Sequence, residues 1–227
     1  GELGKMLPGP IPVLEKFFTS LVSGKIGQNT LVEHAFYSLL RVMAGYALGS
    51  VVGVILGLAM GTYKMVEAIC SPLFRIIRPI PPIAWIIIWI GLGEDAKIFL
   101  IFLASFCYVT LNAWNGVKNV DQQLVGAARM LGARDHQIFI TIILPACVPS
   151  IFAGLQVALS SSWATVLAAE MVRSSNGLGW VIIAGMNNND MLQILVGIVA
   201  IGIVGLVLSI IFRKVEAVLC RWNKSGT

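Results

Sequence analysis

Long apolar segments constrain this chain more than any other feature. Residues 98–117 and 191–212 contain no Asp, Glu, Lys or Arg, and residues 37–60 contain only Arg41. About 20 apolar residues are enough for a helix to cross the ~30 Å hydrocarbon core of a bilayer. The whole chain is 57% hydrophobic and 12% charged, about half the charged fraction that is usual in soluble domains. These features predict an all-α polytopic membrane protein.

The apolar pattern predicts five membrane-spanning segments, at residues 35–61, 72–92, 96–116, 138–170 and 190–212. The second should be broken at Pro79, Pro81 and Pro82, because proline has no backbone N–H to donate within a helix. For the same reason the fourth should kink or restart at Pro145. The predicted membrane domain therefore covers residues 35–212, between an extracytoplasmic lead-in, 1–34, and a cytoplasmic tail, 213–227.

The basic residues orient these spans. Residues 62–78, 117–137 and 213–227 fall on one side of the membrane and hold ten Lys or Arg residues, whereas the opposite side holds five. The more basic side is predicted to be cytoplasmic. Gly1 then lies outside, so a further span is expected before it, giving six spans in the full protein.

Composition also bears on partners and on the cysteines. The formal net charge is +5, but the basic residues are scattered over short loops and form no dense patch of the kind that binds nucleic acid. The four cysteines are widely spaced, without a Cys-x-x-Cys pair, and are interpreted as small packing residues. Neither nucleic-acid binding nor a metal site is therefore expected.

A glycine recurs at every fourth position of the first span. The repeat comprises Gly45, Gly49, Gly53, Gly57 and Gly61. On a helix these positions form one slanted groove, which lets another helix backbone approach closely. Packing inside the bundle is the preferred interpretation, and a contact with a second subunit is the alternative.

The segment between the third and fourth spans carries the most specific pattern. Residues 121–131 predict a short helix capped by Asp121 or Asn119, and Gly132 suits the C′ position, where φ is often positive. A second helix should start near Ala133 and lead into the membrane. A short helix with small residues on one face, followed by a rigid turn, predicts an element that docks into a cleft of a partner.

This segment resembles the EAA loop of ABC importer permeases. The family pattern is Glu-Ala-Ala, three residues, Gly, nine residues and Ile-x-Leu-Pro. Six positions match it at the required spacing: Ala127, Ala128, Gly132, Ile142, Leu144 and Pro145. Gly126 stands where the family usually has Glu. Residues 78–85, 91–93, 168–171 and 177–179 further resemble the nitrate/sulfonate/taurine branch of the family.

The resemblance implies the type I ABC importer transmembrane fold and a location in the bacterial inner membrane. It implies a complex with a second permease copy, expected as a homodimer, two ATPase subunits that bind ATP–Mg, and an extracytoplasmic solute-binding protein. This chain itself would hold no cofactor and no catalytic site. The transported solute is expected to be a small oxyanion, such as a sulfonate or taurine. The positions implied to dock onto the ATPase are Gly126, Ala127, Ala128, Arg129, Leu131, Gly132, Ala133, Arg134 and Asp135.

The predicted solute pathway combines the broken second span with a polar patch of the fourth. Non-helical backbone at membrane depth is tolerated where it lines a water-filled cavity, although a purely structural kink explains the prolines equally well. Packing is the preferred role of Trp85 and Trp89. The pathway candidates are Pro81, Pro82, Trp85, Ser161, Ser162, Thr165 and Glu170.

Two other classes of function compete with this interpretation. An autonomous secondary carrier or channel predicts charged or polar residues deep within several spans, and this sequence has few. An intramembrane hydrolase needs a nucleophile and a base at one depth, whereas His34 and His136 fall in different parts of the predicted topology. The sequence contains no Gly-x-Ser-x-Gly, His-Glu-x-x-His or phosphate-binding-loop motif, so the hydrolase is disfavoured.

Overall fold

A computed structural model describes residues 8–22, 24–85 and 93–220 of the chain. Within these residues the structure is helical apart from one antiparallel hairpin, in which Lys25 pairs with Thr30 and Ile26 with Asn29. The regular elements are α1 (Pro10–Val22), β1 (Lys25–Ile26), β2 (Asn29–Thr30), α2 (Leu31–Thr62), α3 (Lys64–Ile77), α4 (Glu94–Lys118), α5 (Gln122–Met130), α6 (Asp135–Ile138), α7 (Leu144–Val172), α8 (Leu178–Asn187) and α9 (Met191–Leu219).

Four helical segments are long and apolar enough to cross a membrane, counting the described residues only. They are Leu31–Thr62, Glu94–Lys118, Asp135–Val172 and Met191–Leu219. They confirm the predicted first, third, fourth and fifth spans, each of which starts or ends a few residues beyond its predicted limits. The first begins at Leu31 rather than residue 35, directly after the hairpin.

The predicted second span, 72–92, differs from the structure. α3 begins at Lys64 and ends at Ile77, and a short 3-10 helix, Pro82–Trp85, follows the proline cluster. The break is confirmed, because Pro81 and Pro82 cannot donate the backbone hydrogen bonds that would continue the helix. The remainder of this span, 86–92, lies outside the described residues.

The helical geometry of the fourth span changes next to Pro145, where a kink or a new helix was predicted. Residues Phe139–Ile143 form a π-helical turn, and the α-helix resumes at Leu144. The wider turn accommodates the prolyl ring, which would clash with the carbonyl four residues earlier in a regular helix. The segment therefore stays continuous from Asp135 to Val172.

The described residues divide into two compact units. The first comprises the described parts of residues 1–45, 82–101 and 162–211. Its main core joins α1, the hairpin and the start of α2 to α8 and α9, through Val13, Phe17, Ile26, Leu31, Leu178, Val181, Val196 and Ala200. The amphipathic helix α1 was not predicted, because residues 1–34 were assigned only as an extracytoplasmic lead-in.

The second unit comprises the described parts of residues 46–81, 102–161 and 212–227. Its core joins the ends of α2 and α4 to α5, α6 and the start of α7, through Leu58, Ala113, Val117, Val120, Val125, Ile138, Cys147 and Ile151. This core supports the segment that carries the most specific sequence pattern.

The glycine repeat packs α2 closely against α4. A Cβ placed on Gly57 would lie 2.5 Å from the Thr110 carbonyl oxygen and 2.6 Å from the Ala113 Cβ, which real Cβ atoms do not tolerate. Within the first unit, a Cβ on Gly45 would likewise lie 2.6 Å from the Ile101 Cβ. The groove is therefore filled by this chain itself, which confirms the preferred interpretation.

Candidate functional site

The helix α5 is closed at both ends by local hydrogen bonds. At its start the Gln123 N–H donates to Asp121 Oδ1 over 2.8 Å, so Asp121 is the cap. At its end Gly132 has a φ of 84°. The Gly132 N–H donates to the Arg129 carbonyl and the Ala133 N–H to the Ala128 carbonyl, each over 3.0 Å. These two bonds form a Schellman motif and confirm both predicted ends of the helix.

Most of α5 faces away from the rest of the chain. Val125 is its one buried residue, and Ala128, three positions on, packs against the same core. In contrast, Met130 and Leu131 are 90% and 89% exposed. A Cβ placed on Gly126 would have no atom of the described residues within 4 Å. The packing of the described part of the chain therefore does not require a small residue at this position.

The turn after α5 leads directly into the long fourth span. The Arg134 N–H donates to Gln137 Oε1 over 2.8 Å, at the start of α6. The Arg129 guanidinium pairs with Asp135 over 3.2 Å, and both side chains are exposed. All nine predicted docking positions lie on this helix and turn, and all of them except the half-buried Ala128 and Ala133 are exposed.

A cavity of about 670 Å³ lies beside α5, against the ends of α2 and α4. Its charged lining residues are Lys64, Lys118, Arg129, Asp135 and His136. Lys118 also pairs with Glu67, and its ammonium group lies 4.4 Å from the centre of the Trp114 ring. Basic residues thus dominate the charge of this cavity.

The predicted pathway residues are distributed over both units. In the first, Trp85 packs on Leu100 and Ala169, in agreement with its preferred packing role. Ser162 is fully buried and Thr165 is 7% exposed. Neither the Trp85 Nε1 nor the Ser162 Oγ has a hydrogen-bond partner among the described residues. Of the other candidates, Pro82 lies in the 3-10 helix, whereas Pro81 and Ser161 belong to the second unit. Trp89, for which packing was the preferred role, lies outside the described residues.

Glu170 lies in a closed polar cluster rather than on an open surface. Its side chain is 1% exposed. Both carboxylate oxygens accept from the Ser38 hydroxyl at 2.9 Å, one accepts from Arg41 Nη1 at 2.7 Å, and the other from the Gly179 N–H at 3.0 Å. In this conformation the protein itself occupies the acceptor sites that a solute would need, while the pathway role of Glu170 stays a prediction.

The cluster continues through Arg41 to further charged residues that sequence reasoning missed. Arg41 Nε and Nη2 donate to Glu94 over 2.5 and 2.9 Å, and Lys97 donates to Glu94 over 2.7 Å and to the Ser174 hydroxyl over 2.9 Å. A lone arginine in an apolar span was the available signal, because a buried charge requires a partner. The sequence could not indicate which carboxylates would meet it.

His34 anchors the same region. Its Nδ1 accepts from the Gly177 N–H and its Nε2 donates to the Ile26 carbonyl, each over 3.0 Å. The ring stacks on Trp180 with 5.2 Å between centroids. Both ring nitrogens therefore join the hairpin to the loop before α8.

The fold matches a solved ABC transporter. Over 82% of this chain and 94% of the matched chain, the structure superposes on a chain of the MetNI methionine ABC transporter in an inward-facing conformation, with a TM-score of 0.68 and 18% sequence identity. This likeness confirms the predicted type I ABC importer fold. Together with the four apolar spanning helices, it defines a class of fold: a polytopic membrane domain of the type I ABC importer kind.

Sequence comparisons place the chain within this class. Residues 49–222 match the family of binding-protein-dependent transport system inner membrane components, and the chain belongs to that family. It is 39% identical over 222 residues to a probable ABC transporter permease protein of Brucella abortus, covering 96% of this chain and 87% of that one. Membership implies an inner-membrane location, ATPase partners and a solute-binding protein.

Two relatives with stated solutes support the predicted branch. The taurine transport system permease protein TauC of Escherichia coli K12 is 36% identical over 222 residues, which are 96% of this chain and 80% of that one. The putative aliphatic sulfonates transport permease protein SsuC of Bacillus subtilis is 31% identical over 223 residues, 97% of this chain and 79% of that one. The resemblance to the nitrate/sulfonate/taurine branch is thereby confirmed.

Proposed function

We propose that this permease forms a solute pathway whose opening is driven through α5, by an ATPase subunit docked on the exposed face of that helix. The observation that carries the proposal is the open space around Gly126. Glycine inside a helix destabilises it by about 0.8–1 kcal/mol relative to alanine, and no contact among the described residues requires the glycine. A close approach by another subunit gives a reason for small residues at 126 and 127.

The surroundings of Gly126 support a docking role. Met130 and Leu131 expose almost their whole side chains next to this small-sided face, and large exposed apolar side chains gain free energy when a partner removes them from water. Basic groups of the adjacent cavity, including Lys64 and Lys118, would attract acidic residues of the partner. The predicted docking set is retained in full: Gly126, Ala127, Ala128, Arg129, Leu131, Gly132, Ala133, Arg134 and Asp135.

The connection from α5 to the membrane is suited to transmit motion. The Schellman turn fixes the direction in which the chain leaves α5, and the helical segment that follows is continuous from Asp135 to Val172. A displacement of α5 by the ATPase would therefore tilt a segment that crosses the membrane. The predicted pathway residues Ser161, Ser162, Thr165 and Glu170 lie on this segment, and Pro81, Pro82 and Trp85 complete the predicted pathway.

The complete transporter is proposed to contain two copies of this permease as a homodimer, two ATPase subunits and one extracytoplasmic binding protein. ATP–Mg would bind to the ATPase subunits, and this chain would contribute no catalytic group. The proposed solute is a small oxyanion, a sulfonate or taurine, which the similarity to TauC and SsuC supports. Residues 35–212 form the proposed membrane domain.

The experiment is a charge insertion on α5. Ala127→Glu places a carboxylate on the exposed face without disturbing the buried Val125. The permease should then lose most of its co-purifying ATPase subunit and at least tenfold of its ATP-driven uptake of labelled taurine or ethanesulfonate in proteoliposomes. Ala217→Glu is the matched control, because Ala217 is also exposed and lies in the tail predicted on the same side of the membrane.

The outcome separates the two classes of transporter. If Ala127→Glu transports as well as the wild type, and uptake needs no ATP, the chain is an autonomous carrier and the proposal is wrong. Gly126→Glu gives a second readout, because its longer side chain would fill the space that the partner is proposed to approach. ATPase binding to this variant should be weaker than that of the wild type.

A further inference from the structure

A second cavity, of about 440 Å³, extends along α4 from its carboxyl-terminal end toward its middle. It is lined by residues of the last turns of α3 and by Leu111 and Trp114 of α4. At 1.5 Å per residue, Leu111 lies roughly 10 Å along the helix from Lys118, where α4 ends. Deeper still, the rings of Phe74 and Phe106 contact each other at 5.4 Å between centroids. The cavity thus reaches into the membrane-spanning part of the second unit.

Two arginines line this cavity from one face of α3. Arg75 and Arg78 are three residues apart, so their side chains are neighbours, and both are exposed. No ion pair to either is found within the part of the chain that the structure describes, and no carboxylate is among the described residues that line the cavity. The nearby Glu67 is paired with Lys118. Two neighbouring guanidinium groups without a counter-charge among the described residues form a site that attracts an anion.

Besides the two arginines and Ser71, the lining contains one further polar residue, Trp114, whose indole N–H is also a donor without an acceptor. The Trp114 Nε1 is buried and has no hydrogen-bond partner among the described residues. A buried N–H without an acceptor costs free energy, and an oxyanion at the arginines would supply one. Phe74 and Leu111 provide apolar walls that suit a short alkyl chain.

We propose that this cavity binds the oxyanion group of the transported solute on the inner half of its route, with Arg75 and Arg78 as the charged ligands and the Trp114 N–H as a further donor. The inference rests on the proposed function and adds to it the residues that recognise the solute within the membrane. These residues are distinct from the predicted pathway set, and their charges were interpreted in the sequence only as markers of orientation. The planar guanidinium group can donate two parallel hydrogen bonds to two oxygen atoms of one oxyanion, which an ammonium group cannot do.

The test is uptake by the complete transporter, permease with its ATPase subunit and binding protein, in proteoliposomes supplied with labelled taurine, ethanesulfonate or nitrate. Arg78→Gln and the double variant Arg75→Gln/Arg78→Gln should lower kcat/KM for the transported anion at least tenfold and a hundredfold, respectively. Arg78→Lys should recover only part of the kcat/KM that Arg78→Gln loses. Trp114→Phe, which removes the N–H and keeps a ring, should lower kcat/KM severalfold. Arg213→Gln is the control, because it removes an exposed charge outside the cavity.

Two further arms make the outcomes decisive. Vesicles of phosphatidylcholine alone and with phosphatidylglycerol distinguish the solute from a lipid phosphate: a loss in both supports the proposal, and a loss only with the anionic lipid overturns it. Co-purification of the ATPase subunit reports on folding, and if the double variant fails to assemble, the Arg78→Lys and Trp114→Phe variants decide. Unchanged uptake in these variants refutes the site alone, whereas a wild-type complex that binds no ATPase or takes up none of the anions refutes the proposed function.

Discussion

Glu170 illustrates how much of this fold depends on single residues. Its carboxylate accepts from Ser38 and Arg41 of α2 and from Gly179 of α8, so one side chain of α7 holds two other helices. A buried charge is stabilising only while all of its partners are present, because each of them has been removed from water. The predicted pathway residue is thus also a structural centre of the first unit.

Replacing this carboxylate should therefore be costly. Glu170→Gln introduces an N–H₂ group that faces hydrogen-bond donors, and it leaves the Arg41 charge without one of its partners. Removing one partner of a buried charge pair lowers the free energy of unfolding by about 3–5 kcal/mol. The apparent melting temperature in detergent should fall by at least about 5 °C. Glu15→Gln, the same substitution at an exposed position of α1, should change it by less than about 1 °C. Equal effects of the two variants would contradict the structural role of Glu170.

A second residue-scale prediction concerns Asp190, which caps α9 and pairs with Lys16 of α1 over 2.6 Å. The contact with Lys16 lowers the pKa of Asp190 below its usual value. A lowered pKa adds stability that is fully present above the ordinary aspartate pKa of about 3.9 and is lost as the pH falls through the folded-state pKa. The pair is partly exposed, so its contribution is at most about 1 kcal/mol.

The measurement is the melting temperature of the wild type and of Lys16→Gln from pH 7 to pH 3. The variant should melt about 1–3 °C lower at pH 7, and the difference should begin to shrink as the pH falls below about 4. A difference that stays constant over this range would show that the Lys16–Asp190 charge pair does not stabilise the protein.

At the scale of elements, the contact between α2 and α4 depends on the absence of side chains. Lipid removes the hydrophobic drive for helix association, so close van der Waals packing has to supply it. Gly57 lets the backbone of α4 approach closely, and any side chain there would overlap with Thr110 and Ala113. The regular four-residue spacing of the glycines keeps this contact along the shared length of the two helices.

Gly57→Ala should therefore destabilise the protein although alanine favours helices. Its Cβ would lie 2.5 Å from a backbone oxygen, which cannot move without displacing α4. The free energy of unfolding is therefore expected to fall by about 1–3 kcal/mol. Gly202→Ala in α9 is the matched control, because a Cβ there meets nothing within 4 Å. It should leave stability unchanged or raise it by up to about 1 kcal/mol. Thermal unfolding of both variants in the same detergent makes the comparison, and equal losses would contradict the packing role of the repeat.

For the whole molecule, the basic residues predict the orientation in the membrane. The more basic loops, which include the turn after α5, are expected in the cytoplasm, and the hairpin before α2 is expected outside. Gln28 and Leu131 are exposed in these two places. Because Lys64 and Lys118 line the cavity beside α5, the orientation also places these basic groups where an ATPase subunit can reach them.

Labelling with a membrane-impermeant maleimide tests this orientation. In a background in which the four native cysteines are replaced by serine, Gln28→Cys should react in intact cells, and Leu131→Cys should react only after the membrane is opened. The reverse pattern would invert the topology and remove α5 from the reach of an ATPase. Reaction of both residues from outside would contradict the odd number of membrane crossings that is predicted between them.

The features that arise from local chemistry could be predicted from the amino-acid sequence. Four spans followed from apolar length, the break after α3 from Pro79, Pro81 and Pro82, and both ends of α5 from Asp121 and Gly132. The sequence did not predict α1, an amphipathic helix within the proline-bearing residues 1–34. It also did not predict that α3 starts at Lys64, because the first residues of α3 are charged and lie outside the apolar segment. The hydrogen bonds and side-chain patterns that determine where these helices start and end lie within a few residues of each other in the chain.

Which distant residues contact each other depends on the tertiary structure and could not be predicted from the sequence. Arg41 and Glu170 are 129 positions apart, and no periodicity of the sequence encodes that pair. Arg75, Arg78 and Trp114 likewise share a cavity only because α3 packs against α4. Helices form from hydrogen bonds between neighbours in the chain, whereas buried charges and cavities arise from how finished helices pack, and that depends on the shape of every side chain between them.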